Sequence, residues 1–186
     1  SEEVARAARA HGHEVILHMP MEAIGAAEPR EEEVILAGMP RRQIAQMLDR
    51  SRATVPGARG MNNHQGSKVT SDPATMEAVL SEVRRRRMYF LDSFVTDQSV
   101  CREVARRLGV PFAQRAVFLD NEQSTGAIQK QLGALARTAA RRGQVIGIGH
   151  DRPVTMDCLE EAIPVLEEAG YTLVPVSELL EENPEE

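Results

Sequence analysis

A chain of 186 residues can bury one sizeable core but is too short for two full-sized domains. Its 42% hydrophobic and 27% charged residues exclude disorder, collagen-like repeats and a coiled coil. The net charge is −6 with five glutamates in the last nine residues, so the body is near neutral and lacks the basic excess that a nucleic-acid partner requires.

One unit recurs five times along the chain: an amphipathic helix, a basic or glycine-rich turn, then a short apolar run rich in β-branched residues. The chain begins in a helix-like segment, Glu2 to Ala10, and the first run is AHGHEVILH (10–18). Residues 23–38, with the acidic run Glu31 to Glu33, read as a long loop, followed by a helix near 40–53 and a strand from Ala58 to His64. Asp72 and Pro73 form an N-cap with proline at the first helical position, which predicts a helix to about Arg86 with Met76, Val79, Leu80 and Val83 on its apolar face. The basic run Arg84 to Arg87 reads as the solvated end of that helix and leads into RRRRMYFLD (84–92).

A helix from near Asp97, with Val100, Val104, Ala105 and Leu108 on one side, stops at Gly109 and precedes LGVPFAQRAVFLD (108–120). The next carries Ile128, Leu132 and Leu135, ends at Gly143 and precedes RRGQVIGIGH (141–150). In the last, Pro164 interrupts Leu159, Ile163 and Leu166 and predicts a kink or a break before EAGYTLVPVS (168–177). Six strands alternating with helices predict an α/β fold with parallel pairing, one domain over 1–177 and an acidic tail at 178–186. A helix in such a repeat normally follows its own strand, so a further strand is expected upstream of Ser1.

No run reaches the ~18 apolar residues of a membrane span, and no signal peptide opens the chain. Cys101 and Cys158 fall inside helical patterns and read as buried small hydrophobes. Aromatic residues are only 3%, which weighs against tight binding of a long glycan.

Each predicted strand ends in polar residues: His18, Asn63 and His64, Asp92 and Ser93, Asp120 and Asn121, His150 and Asp151, and Ser177. Parallel strands bring such ends to one side, where α/β proteins place ligand sites. Asp120 and Ser177 fit helix-capping roles, whereas His18, His64, Asp92 and His150 predict a shared cleft. His18 and Glu22 lie four apart around Pro20, which is expected to break the strand and turn both side chains toward one point; imidazole and carboxylate suit zinc and related divalent ions. An HExxH motif is absent because Leu17 stands at its fifth position, GIGHDR (147–152) departs from a dinucleotide loop at Arg152, and neither Ser67 nor Ser93 carries a nucleophile signature.

Taken together, GHEVILHMPMEAIG (12–25), GMNNHQGSKVT (60–70), FLDS (90–93), VFLDN (117–121) and GIGH (147–150) make nearly the whole chain resemble the divergent polysaccharide deacetylase family, a branch of the NodB-homology deacetylases of bacteria. The resemblance implies an incomplete seven-stranded (β/α) barrel whose first strand, with a pair of aspartates serving as catalytic base and metal ligand, is absent from this chain; truncation is the expectation, and a protein that cannot run the family reaction is the alternative. It implies metal-assisted removal of acetyl groups from N-acetylated sugars, with His18, Glu22 and His64 on a divalent metal, zinc foremost. Glu22 replaces the second histidine of the usual H-x-x-x-H motif. His150 would be the general acid and Asp92 the acidic residue that tunes a neighbour, both counted as catalytic. Asn62 and Asn63, standing where the wider superfamily has an arginine-proline-tyrosine group, would bind substrate with Ser67 and Ser93. The implied partner is a glycan or small acetylated substrate, and the family's usual export implies a periplasmic or secreted location. Two further readings fit: a binding or regulatory protein with a vestigial site, and a metal-dependent hydrolase of a non-sugar amide.

Overall fold

The computed structural model describes residues 2–25 and 33–181. They form two compact units, Ser1–Gln114 with Leu180–Glu186, and Arg115–Leu179. In the first unit the order is α1 (Glu2–Ala10), β1 (Ile16–Met21), α2 (Arg41–Thr54), β2 (Gly60–Gln65), α3 (Pro73–Arg85), β3 (Tyr89–Asp92), α4 (Cys101–Leu108) and β4 (Phe112–Gln114). In the second it is β5 (Val117–Phe118), α5 (Thr125–Arg142), β6 (Gly147–Ile148), α6 (Pro153–Glu168) and a 3-10 turn at Val176–Glu178. The result is an α/β fold in which β1-β2-β3-β4 form one parallel sheet and β5-β6 a second parallel pair.

Alternation along the strands divides the first sheet into two faces. Leu17, Met19 and Met21 of β1, Met61 of β2, Phe90 of β3 and Phe112 of β4 point to one face, where they pack in one core with Ile44 and Leu48 of α2, Met76, Leu80 and Val83 of α3, and Val104 and Ala105 of α4. His18, Asn62, His64 and Leu91 point to the other face, with His18 paired to Asn62 and Asn62 to Leu91 in register. Gly60 lies beneath the Tyr89 ring, which stands 2.4 Å from where a Cβ would sit. In the second unit Val117, Leu119, Ile128, Leu132 and Cys158 form a smaller core.

Helix α3 starts as its sequence dictates: the Asp72 carboxylate accepts the Thr75 N–H at 2.7 Å, and Pro73 takes the first position. Gly109 and Gly143 end α4 and α5 in the left-handed conformation. Cys101 and Cys158 are buried. Among the described residues no helix is long and apolar enough to cross a membrane.

Several expectations are corrected. Helix α4 begins at Cys101 rather than near Asp97, because Ser99 gives its hydroxyl to Asp92 and Val100 gives its N–H to Thr70, both outside the helix. Helix α6 runs through Pro164 as one element. The LGVPFAQRAVFLD run (108–120) holds two strands: Phe112–Gln114 joins the four-stranded sheet and Val117–Phe118 pairs with β6. The LVPV run before Ser177 is no strand, and Ser177 lies inside the 3-10 turn instead of capping a helix. Pro20 sits within β1 rather than breaking it. Its carbonyl accepts the Ile35 N–H at 2.9 Å, and Ile35 in turn accepts from Glu22, so the chain after Pro20 stays extended. Glu31 and Glu32 lie outside the described residues; Glu33 pairs with Arg50.

The arginine run is only partly solvated. Arg86 is 8% exposed and binds the Glu82 carboxylate at 2.6 Å, Asp49 at 2.6 Å and the Ala45 carbonyl at 2.8 Å, which joins α3 to α2. Burial pushes the Glu82 carboxyl up, but hydrogen bonds from Arg85, Arg86 and Arg41 outweigh it and leave the group at about 2. A carboxyl depressed from 4.5 to about 2 stabilises the fold above its unfolded value, and that stability is lost as pH falls from 4.5 toward 2. Glu82→Gln is expected to remove this acid-sensitive step and to cost roughly 3–5 kcal/mol at neutral pH, because buried Arg86 loses its buried carboxylate and keeps only the exposed Asp49 against its charge. Urea unfolding at pH 7 and an acid titration measure both; a cost below about 1 kcal/mol, typical of a surface pair, contradicts the account.

Candidate functional site

The register of β1 on β2 sets His18 beside Asn62 and Pro20 beside His64 on the same face. The two imidazoles meet edge to face with centroids 4.8 Å apart, and His18 Nε2 lies 2.9 Å from His64 Nδ1. Behind them runs a chain of hydrogen bonds whose direction is fixed at its far end. The Asn63 carbonyl can only accept, so Ser93 Oγ donates to it at 2.7 Å. Ser93 Oγ then accepts from Asn62 Nδ2 at 3.2 Å, which turns Asn62 Oδ1 toward His18 as an acceptor. His18 Nδ1 donates to Asn62 Oδ1 at 2.9 Å, so in the neutral ring Nε2 carries the lone pair and faces His64. Asn62 and Ser93 are 6% and 4% exposed, which makes breaking the chain costly.

Asn63 faces the other side and completes the support. Its Oδ1 accepts the Ser93 N–H at 2.9 Å and its Nδ2 donates to the Gln65 carbonyl at 2.7 Å, where Gln65 holds φ at +53°. Asn62, Asn63 and Ser93, expected to bind substrate, are thus engaged in positioning His18 and the turn beyond His64. Ser67 Oγ accepts the Ile24 N–H at 2.9 Å and ties the loop after β1 to the loop after β2.

Glu22 does not accompany the histidines. Four residues of extended chain separate it from His18, roughly 13 Å at the usual strand rise. Its carboxylate instead receives Lys68 Nζ at 2.6 Å and the Ala37 N–H at 2.9 Å. Lys68, followed by the Ala37 N–H, holds that carboxyl below its ordinary value. Asp92 alternates with Leu91 and so belongs to the helix side of β3, opposite the histidines. Its two oxygens accept the Phe94 N–H at 2.8 Å and the Ser99 hydroxyl at 2.7 Å, which shapes the β3–α4 loop, with Phe94 at φ +48°. Among the described residues no three His, Cys, Asp or Glu side chains converge as a complete metal set.

In the second unit His150 follows β6 and is bound to Asp120, which follows β5. Asp120 Oδ1 accepts from His150 Nδ1 at 2.9 Å, and Oδ2 accepts both the His150 N–H and the Thr155 hydroxyl at 2.9 Å. Arg152 donates to the Asp120 carbonyl at 2.8 Å. Asp120 is fully buried, and although burial raises its carboxyl, the His150 and Thr155 hydrogen bonds bring it below the ordinary value, so it stays ionised. The arrangement gives His150 one tautomer, with Nδ1 protonated and Nε2 on a side chain that is 43% exposed.

The capping role expected for Asp120 is therefore wrong: Ser124 caps α5, accepting from Ala127, and Asp120 orients His150. The only hint of this in the sequence was an aspartate directly after an apolar strand, thirty residues ahead of the histidine. Lys68 had no such hint, being 46 residues from Glu22.

The model of the divergent polysaccharide deacetylase family matches residues 1–180. Among curated proteins, the chain is 35% identical over 180 residues to the uncharacterized protein YibQ of Escherichia coli K12, covering 97% of this chain and 56% of that one. An uncharacterized protein of Haemophilus influenzae is 32% identical over 161 residues, covering 87% of this chain and 57% of that one. The chain thus spans little more than half the length of these relatives. Among solved structures, that of the uncharacterized protein ATU2773 from Agrobacterium tumefaciens C58 superposes with a TM-score of 0.90 at 28% identity, over 94% of this chain and 71% of that one. The family match spans both histidine sites, and the chain belongs to the divergent polysaccharide deacetylases.

Proposed function

We propose that the protein is a metal-dependent hydrolase that removes acetyl groups from N-acetylated sugars. The observation that carries this reading is the His18–His64 pair: two imidazole nitrogens from neighbouring strands face one another at 2.9 Å, and a buried hydrogen-bond chain holds one of them as a lone pair. Two neutral imidazoles fit a divalent ion such as zinc, and an amide oxygen on the far ring nitrogen is the usual device for orienting a histidine ligand. In the pair itself His64 Nδ1–H donates to the bare Nε2 of His18, and an ion bound between them would take the place of that proton, leaving His64 protonated on Nε2. The third ligand we assign to a carboxylate from outside the described residues, on the resemblance to a family that uses an aspartate pair ahead of α1. Glu22 is dropped from the set because Lys68 and Ala37 hold its oxygens.

When bound, the ion would supply Lewis acidity toward the acetyl carbonyl and the attacking water. The chain's own contribution is proton transfer and positioning. His150, its Nδ1–H held by ionised Asp120, acts as the acid in its imidazolium form, giving the second proton, carried on Nε2, to the departing amine and returning to the neutral Nδ1–H tautomer. Asn62 and Ser93 keep His18 in the ligand tautomer, and Asp92 shapes the loop after β3 without touching the reacting atoms. We extend the same reading to the fold, as an incomplete seven-stranded barrel over 1–177 with an acidic tail. Parallel pairing of every strand pair supports it. The family's usual export points to a periplasmic or secreted protein.

Asn62→Leu keeps the volume and removes the acceptor, so zinc affinity of the full-length protein is expected to fall about 10–100-fold. Calorimetric titration checks it; unchanged affinity separates the hydrogen-bond chain from metal binding.

His150→Ala is expected to lower turnover of an N-acetylated glycan by roughly 10²–10⁴-fold with zinc affinity nearly unchanged. Asp120→Asn should act in the same direction, since its amide can present a donor to His150 and favour the wrong tautomer. A loss of zinc binding in His150→Ala would make His150 a ligand and reverse the assignment. Assays of acetylated glycans and simple amides with added divalent ions test the activity itself. Turnover of amides alone favours the non-sugar hydrolase, and no turnover of either favours a binding protein on the same fold.

A further inference from the structure

The arginine run at the end of α3 has a use that the hydrolase reading does not absorb. Arg41 of α2, Ser81, Arg84 and Arg85 of α3, and Leu108 of α4 line a cavity of about 410 Å³ on the first unit. No carboxylate is among these lining residues. Beside it the buried Glu82 accepts the Nε–H of Arg41 at 2.7 Å and of Arg85 at 2.8 Å. A guanidinium has five N–H groups in a rigid plane. Holding each by its Nε edge fixes the plane and directs the terminal nitrogens of Arg41 and Arg85 away from Glu82; Arg85 Nη2 also stands 3.8 Å from Asp49, beyond hydrogen-bond distance, while Arg86 binds that carboxylate at 2.6 Å. The Arg84 side chain makes no hydrogen bond or ion pair among the described residues, and its guanidinium lies 3.9 Å from where a Cβ on Gly109 would sit, at the carboxyl end of α4. Glu82 stays ionised at all physiological pH values, so this orientation of the arginines does not lapse.

We propose that this cavity binds a phosphate-bearing anion, held by the terminal N–H groups of Arg41, Arg84 and Arg85 and by the Ser81 hydroxyl, with Leu108 as its apolar wall. Three forks from two helices suit an anion with several oxygens in a tetrahedral array, whereas one fork already satisfies a carboxylate. Glu82 is the positioning residue, answering through the planes of Arg41 and Arg85. The site is independent of the histidines and of the hydrolase reading.

The test uses the full-length protein at low ionic strength, with inorganic phosphate and glycerol phosphate titrated by phosphorus NMR. Phosphatidylcholine vesicles with and without phosphatidylglycerol are followed by flotation. Saturable phosphate binding is expected, weakened about tenfold or more by Arg84→Gln, partly retained by Arg84→Lys, and unchanged by Arg142→Gln, an exposed arginine at the end of α5. Added salt should weaken it, since the donors are half exposed. Flotation with phosphatidylglycerol vesicles that depends on Arg84 identifies a lipid headgroup as the source of the phosphate, and phosphate binding without flotation identifies a soluble one. The proposal is overturned if millimolar phosphate gives no saturable binding and no vesicle is bound. It is overturned equally if Arg84→Gln and Arg142→Gln weaken binding alike, which is diffuse attraction to charge.

Discussion

The carbonyl oxygen of Asn63 can only accept a hydrogen bond, and the state of the histidine pair follows from that constraint. Ser93 must donate to it, so Asn62 must present its amide nitrogen to Ser93 and its oxygen to His18. His18 is then protonated on the inner nitrogen and bears its lone pair on the outer one, 2.9 Å from His64. A surface imidazole would sample both tautomers. Here a backbone atom selects one through two buried side chains, and the cost of leaving any of those groups unpaired keeps the selection in force. The second unit reaches the same end by a shorter route, with one buried carboxylate taking three hydrogen bonds from His150 and Thr155.

Strand alternation decides which polar residues take part. On β1 to β3, one face carries methionine, leucine and phenylalanine into the helices and the other carries His18, Asn62 and His64. A shift of one position moves a residue from site to support: Asn62 reaches His18 while Asn63 braces the turn, and Asp92, the last residue of β3, falls on the helix side. The helix side is itself held by charge, because α2 and α3 are joined through Arg86 between Glu82 and Asp49.

The elements legible in the sequence were those with a local cause. Asp72 and Pro73 start a helix, Gly109 and Gly143 stop one, and Met76, Val79, Leu80 and Val83 repeat on one face; all are found in place. His64 and His150 were legible as residues at or just after a strand end, His18 instead lies inside β1, which runs on to Met21, and the family was legible from motif order. The misreadings have non-local causes. Pro20 stays in its strand because Ile35 supplies a partner to its carbonyl, and Glu22 is claimed by Lys68 from another loop. Asp120 resembled a cap until its two oxygens were traced to residues thirty and more positions away. LVPV has strand composition but forms no ladder in its unit.

The most direct measurement is a long-range proton–nitrogen NMR correlation of the histidine side chains at neutral pH, repeated with increasing zinc on the full-length protein. The account predicts that His18 is protonated at Nδ1 and bare at Nε2 before zinc is added. Zinc should then shift His18 Nε2 and His64 Nδ1 together while His150 keeps its own Nδ1–H pattern. A His18 protonated at Nε2, or zinc shifts confined to one of the two rings, would contradict the claim that the Asn63–Ser93–Asn62 chain prepares a shared metal-binding pair.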